Sequence, residues 1–274
     1  MDLVSPDGAR DAVRRLTPLA ARTVTELGRG TDSVAYLVDG EWVVRFPMVD
    51  NARLTLRREL ALLPRLGPAL PLPVPAFEHV GRGDDGELLF VAYRALPGVP
   101  LTPELFATLP KNEQEAALAS LAALLNALHA FPVDAARAAG VGHERLTGGY
   151  HDGQRDLPRS LAPALTASEV ARLEAAFARY ETDHEPARLA PALLHSDLKP
   201  AHVLYDPAAR RVTGVLDWGD VSLGDPDFDL AVIAIFFGDE LMARLLEHLP
   251  ERDPDTVLAK ARFFITLRRL QDLA

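Results

Sequence analysis

The chain contains no cysteine among its 274 residues, and its only lysines are Lys111, Lys199 and Lys260. The first absence removes disulfides, thiolate nucleophiles and cysteine-based zinc sites together. The second leaves positive charge to arginine, so a lysine inside a motif is unusually informative. Acidic residues outnumber basic ones by 39 to 29, giving a net charge of −10. That balance suits neither nucleic acid nor an anionic membrane as a partner, and it leaves room for a cationic small molecule. The longest apolar run, Leu230 to Gly238, falls far short of the roughly 18 residues of a membrane span and reads as a core helix. The first residues lack the basic flank and apolar stretch of a secretory signal, so the expected location is the cytoplasm. What is present is 48% hydrophobic and 25% charged, enough for one large domain or two modest ones.

The first hundred residues read mainly as strands. Thr23 to Leu27, Ser33 to Val38 and Glu41 to Phe46 form a meander, with Asp39-Gly40 predicting a tight two-residue hairpin that pairs Arg45 with Val34. Asn51 to Leu63 has leucines at helical spacing behind a cap at Asp50 or Asn51. Strands follow at Phe77 to Val80 and Leu88 to Tyr93. The pattern changes after Leu96-Pro97-Gly98. Glu113 to Ala130 and Ser168 to Thr182 are long helical patterns, the second behind the capping signature Thr166-x-x-Glu169, and Thr256 to Leu273 is a third. Val133 to Pro163, rich in Gly, Arg, Asp and Pro, reads as a mobile connection. This composition shift predicts an N-terminal lobe at 1–93, a hinge at 94–100 and a mainly helical lobe at 101–274.

The chemistry concentrates in His195-Ser196-Asp197-Leu198-Lys199-Pro200-Ala201-His202 and in Leu216-Asp217-Trp218-Gly219-Asp220. Between them, Val203 to Tyr205 and Val212 to Leu216 read as a hairpin. Pairing Tyr205 with Val212 sets His202 opposite Val215 and Asp217 diagonally beside it, about 7 to 8 Å away. An imidazole and two carboxylates converging there suit a divalent cation, with Asp197 left to orient a nucleophile. Phosphoryl transfer needs such parts: a metal on the donor phosphates, a base at the acceptor hydroxyl and positive charge near the moving group, here Lys199. Gly28 and Gly30, between two strands and followed by Ser33, predict a loop whose amides approach phosphates. Arg45 starts near that loop, and Glu59 on the following helix is placed to hold it.

Taken together, HSDLKPAHVLYD and GVLDWGDVSLGDPDFDLA, with the glycine loop and Arg45, resemble the aminoglycoside phosphotransferase family within the protein-kinase-like fold. The resemblance implies an α+β, bilobal protein-kinase-like architecture, a small antiparallel-sheet lobe with one helix joined to a larger, mainly helical lobe. It makes Asp197 the catalytic aspartate, His202 and Asp217 the Mg²⁺ ligands, and His195 and Asp229 the supports of the catalytic loop. It sets the nucleotide base of ATP or GTP against the connector at Tyr93 and Leu96. Histidine at 202, where the family usually has Asn, is similar to the branch that phosphorylates the 2″-hydroxyl of aminoglycosides. Asp220, Asp239 and Glu240 are the expected acidic wall for a cationic acceptor. The implied protein is a monomeric small-molecule kinase with an aminoglycoside as first acceptor. Other acceptors (a macrolide, sugar or amino alcohol) and a nucleotide-binding pseudoenzyme stand as alternatives.

Overall fold

The computed structural model describes residues 4–142, 163, 165–184 and 190–271. Its N-terminal half is built on five antiparallel strands in the order β1-β2-β3-β5-β4: β1 (Val24–Arg29), β2 (Ser33–Val38), β3 (Trp42–Pro47), β4 (Phe77–Arg82) and β5 (Leu88–Arg94). Alternation divides the sheet into two working faces. Val34, Tyr36, Val38, Val44, Phe46, Phe90 and Ala92 form one buried cluster with Ala9, Ala12 and Val13. The intervening Ala35, Val43, Arg45 and Tyr93 face a cavity. Each fully buried valine or phenylalanine stabilises by about 1.5–3 kcal/mol, and a one-residue slip would turn that whole set outward.

Ala9, Ala12 and Val13 belong to a helix the sequence reading did not place, α1 (Pro6–Leu16). Its signals are local. Ser5 accepts the Gly8 N–H, Pro6 occupies the first turn, Asp7 lies near the N-terminus, and Arg14 and Arg15 sit in the last turn. The second helix, α2 (Asp50–Leu66), begins one residue earlier than expected: Asp50, read as a cap, lies in its first turn, and Val49 precedes it without a side-chain cap.

The β2–β3 turn departs from the prediction in an instructive way. Asp39 and Gly40 both have positive φ, 53° and 72°, as an Asp-Gly turn requires, but Val38 pairs with Trp42. Glu41 therefore joins the loop, and Arg45 lies opposite Ala35 rather than Val34. Glu41 is drawn out by other partners. Its carbonyl accepts the Ala95 N–H at 2.8 Å, and its carboxylate meets Arg94 at 2.7 Å.

Beyond Arg94 the chain enters helices around a β-hairpin. The short strand β6 (Val99–Pro100) pairs with β8 (Val203–Asp206), which pairs in turn with β9 (Arg211–Val215). Two further bonds tie this hairpin to other segments: the Val215 N–H donates to the Pro73 carbonyl, between α2 and β4, at 2.9 Å, and the Thr213 hydroxyl donates to the Pro97 carbonyl in the connector. Gly98 makes the crossing sterically feasible. Its φ is +114°, and a Cβ there would lie 2.7 Å from the Tyr205 carbonyl oxygen. Gly98→Ala is accordingly expected to cost at least about 1–3 kcal/mol through backbone strain alone, read as a lower urea midpoint at unchanged m-value.

The helices follow the sequence closely. They include α3 (Pro103–Thr108), α4 (Lys111–His129), α5 (Val133–Ala138), α6 (Ala167–His184), α7 (Asp227–Phe237), α8 (Asp239–Glu247) and α9 (Pro254–Gln271). Before α6 the Thr166 N–H donates to Glu169 at 2.7 Å while the Glu169 N–H donates to the Thr166 hydroxyl at 3.3 Å, the reciprocal cap the sequence predicts. Helix α7 contains the long apolar run and is buried along nearly its whole length. Of the connection expected to be mobile, Val133–Ala138 is helical, and residues 143–162 lie outside the described residues.

Candidate active site

A cavity of ≈ 890 Å³ lies between the sheet and the β8–β9 hairpin. Its roof includes Gly28, Gly30, Ser33, Arg45 and Tyr93; its floor includes Asp197, Lys199, His202, Asp217 and Asp220. Residues far apart in the sequence thus meet at one opening.

The loop carrying Asp197 leaves strand β7 (Ala192–Leu194) and is fixed before it reaches the cavity. Asp229, fully buried on the first turn of α7, accepts the His195 N–H at 3.1 Å and the Ser196 N–H at 2.8 Å. Ser196 has φ +69°, a left-handed backbone that a non-glycine residue keeps only when its surroundings over-determine it. The His195 ring faces away from the cavity. Its Nε2–H donates to the Leu216 carbonyl at 3.0 Å, and its Nδ1 accepts the Asp197 N–H at 3.3 Å. A carbonyl only accepts and an amide only donates, so this tautomer is imposed. Burial holds the ring's pKa below the ordinary histidine value.

At the floor, the Lys199 ammonium lies 2.6 Å from Asp197 Oδ2, so lysine and aspartate form a unit. His202 donates from Nδ1 to the Asp197 carbonyl at 2.8 Å, which leaves Nε2 with its lone pair 3.2 Å from Asp217 Oδ2. Two acceptors at that distance need a proton or a cation between them. This donor set fits a divalent ion. Among the described residues no group of three or more His, Asp or Glu side chains converges to hold a metal. An ion here would therefore take its other ligands from phosphate oxygens and water, as Mg²⁺ commonly does. Imidazole is a poorer match for Mg²⁺ than an oxygen ligand.

The hairpin achieves this with a register that differs from the expected one. Tyr205 pairs with Val212 as predicted, but a bulge at Thr213 brings Leu204 opposite Gly214 and Val203 opposite Val215. His202 consequently faces Leu216, whose N–H donates to the His202 carbonyl at 2.8 Å. Asp217, at φ +59°, then turns back toward the imidazole. The bulge and this turn set the two side chains face to face, with Nε2 and Oδ2 3.2 Å apart.

In the roof, Arg45 lies 2.9 Å from Glu59 and 3.7 Å from Asp217. Glu59 is fully buried behind the arginine rather than in the cavity lining. Burial pushes its carboxyl up, with Arg45 acting in the opposite direction. Neither Gly28 nor Gly30 has positive φ, and a Cβ on either would meet no close neighbour. The Gly30 N–H is already used, donating to the Ser33 carbonyl at 2.9 Å.

Asp220 lines the cavity, its pKa raised by burial and by the charges of Asp197 and Asp217. Asp239 and Glu240 lie elsewhere, exposed on the first turn of α8 and outside the cavity lining. The reason is geometric: α7 ends at Gly238 with φ +89°, and the chain turns into α8 before either carboxylate can point back. Leu96 also stands outside the lining; a Cβ on Gly214 would come within 2.6 Å of it. Sequence reasoning missed Asn51 and Thr55, which line the cavity from α2. With Glu59 they recur every fourth residue, a polar stripe along the first turns of α2 that could have revealed them.

Comparison with known proteins agrees with this geometry. The chain matches the profile described as the phosphotransferase enzyme family over residues 23–264. Viomycin phosphotransferase of Streptomyces vinaceus is 29% identical over 176 residues, 64% of this chain and 59% of that protein. An aminoglycoside 3'-phosphotransferase of Streptomyces fradiae is 29% identical over 169 residues, 60% of this chain and 58% of that protein. The matched region thus spans less than two thirds of either curated relative. Among solved structures, the GDP and kanamycin complex of APH(2")-IIia has a TM-score of 0.86 at 30% identity, covering 96% of this chain and 90% of that one. Macrolide 2'-phosphotransferase MphH from Brachybacterium faecium has a TM-score of 0.74 at 26% identity, covering 97% and 90%. The fold is the α+β, bilobal protein-kinase-like one, and the chain belongs to the phosphotransferase enzyme family.

Proposed function

We propose that this protein transfers the γ-phosphate of ATP or GTP to a hydroxyl of a small molecule, with an aminoglycoside as the first acceptor class. The observation that carries the reading is the cavity floor, where Asp197 and the facing pair His202–Asp217 share one opening with Arg45 above them. In this reading residues 1–93 hold the nucleotide, 94–100 form the hinge and 101–274 supply the catalytic and acceptor side. The enzyme works as a monomer in the cytoplasm, where its phosphate donor is abundant. No helix among the described residues is long and apolar enough to cross a membrane.

Each residue then has a physical task. Asp197 takes or orients the proton of the attacking hydroxyl, and Lys199 holds its Oδ2 while keeping positive charge beside the transferred group. Arg45, braced by Glu59, meets the α- and β-phosphates, while the Gly28–Gly30 loop with Ser33 covers them. Tyr93, at the start of the connector, flanks the base. His202 Nε2 and Asp217 would hold Mg²⁺, which when bound neutralises charge on the phosphates. Asp220 faces the acceptor, where a carboxylate favours an ammonium-bearing sugar.

A panel of acceptors with coupled nucleotide turnover tests this reading. Kanamycin-type sugars are expected to be phosphorylated, and chelation by EDTA is expected to bring turnover to background until Mg²⁺ is restored. Turnover with macrolides and none with any cationic sugar would replace the acceptor class, an outcome favoured by the likeness to MphH. Nucleotide binding without transfer to any acceptor would replace catalysis with an interaction role.

A further inference from the structure

Behind the Asp197 loop runs a chain of buried polar groups that phosphoryl transfer does not directly use. Asp229 Oδ2, besides accepting the His195 N–H, lies 3.1 Å from His129 Nε2 at the end of α4. The other ring nitrogen, His129 Nδ1, lies 3.2 Å from Arg252 Nη2. Arg252 Nη1 donates to Asp227 Oδ1 at 2.8 Å, and the Lys260 ammonium lies 2.8 Å from Asp227 Oδ2 and 2.9 Å from Asp225 Oδ2. Donors and acceptors alternate without a fault. Arginine has no acceptor, so His129 Nδ1 must carry a lone pair and Nε2 must carry the proton it gives to Asp229.

The arrangement has a consequence at the cavity. Asp229 restrains the strained Ser196 backbone, and Asp197 is the next residue. Only the His129 tautomer that donates from Nε2 supports Asp229, and Arg252, a donor at Nδ1, holds the ring in that same form. We propose that His129 and Arg252, anchored through Asp227 by Lys260, are positioning residues that hold the Asp197 loop in its reactive geometry. They touch no substrate. They act through Asp229, as buried partners of active-site groups generally do, and the proposal rests on the transfer reading above for its effect on rate.

The test compares His129→Leu with His129→Gln, because a glutamine amide can still donate from near the Nε2 position. Exchange of the His195 and Ser196 amides is read beside kcat and the nucleotide KM. His129→Leu is expected to speed exchange of those two amides at least about tenfold and to lower kcat by about 10- to 100-fold, as misplacement of a reacting group by about 1 Å does. The nucleotide KM should stay within about twofold, and His129→Gln should recover most of both losses. Arg252→Met is expected to reproduce the Leu phenotype in milder form, which keeps the test available if His129→Leu fails to fold. Amide exchange unchanged in both His129→Leu and Arg252→Met would overturn the proposal. So would faster exchange spread evenly over the sheet and helices, or a glutamine variant no better than leucine. An inactive parent enzyme would count against the transfer reading instead, and the amide exchange would still decide the positioning role.

Discussion

Asp197→Asn is expected to lower phosphoryl transfer by about 100- to 10,000-fold while nucleotide affinity stays within about twofold, the span associated with losing a general base. The substitution keeps the size of the side chain and most of its contacts. Its oxygen can still receive the Lys199 ammonium, which lies 2.6 Å from Oδ2 in the parent. The backbone on its N-terminal side is held by Asp229 and His195, which the substitution leaves in place. What asparagine removes is the capacity to accept the hydroxyl proton. Single-turnover transfer and equilibrium nucleotide binding, measured on the same preparation, separate the two effects. Equal transfer rates in variant and parent would remove Asp197 from the reaction.

Lys260→Met should produce the largest loss of stability, about 3–5 kcal/mol, the cost of leaving buried charges without their partner. Lys260 is only 6% exposed and bridges Asp225 and Asp227, themselves 5% and 4% exposed. Methionine preserves the volume and deletes the charge, so the two aspartates lose the ammonium that bridges them, while Arg252 still meets Asp227 and the Tyr180 hydroxyl still meets Asp225. In a chain of this size each kcal/mol shifts the thermal midpoint by about 2–4 °C, which makes the drop easy to resolve. Burial alone would lower the lysine pKa, but Asp225 and Asp227 more than reverse that and raise it. A folded value above the unfolded one means that this contribution is complete below the ordinary lysine value, near 10.4. It is lost as pH climbs through the raised folded value. The gap in midpoint between parent and variant should therefore be constant through neutral pH and shrink only in strong alkali. A variant as stable as the parent would mean that the cluster contributes nothing net.

Much of the site is legible in the sequence because it lies in short contiguous stretches. Asp197, Lys199, His202 and Asp217 flank one hairpin, so spacing alone brings them together, and the Tyr205–Val212 pairing is recoverable from strand patterning. Two of the exceptions trace to a tertiary partner. Glu41 leaves its strand because the Ala95 amide and Arg94 claim it. The bulge at Thr213 forms where its hydroxyl reaches the Pro97 carbonyl. Helix α1 is marked by Ser5 and Pro6, but its apolar stripe of Ala9, Ala12 and Val13 is made of small residues that carry little hydrophobic signal. Asp239 and Glu240 follow a helix whose end turns at Gly238, and no local pattern fixes the direction of that turn. Lys260 is conspicuous by rarity, yet its partners Asp225 and Asp227 are more than 30 positions away.

The hairpin that carries His202 at one end and leads into Asp217 at the other is fastened at two points, to Pro73 in the segment between α2 and β4 and to Pro97 in the connector between the lobes. Displacing the imidazole and carboxylate relative to the sheet would have to break or carry along the Pro73 bond, so this end of the cavity is tethered from above as well as from below.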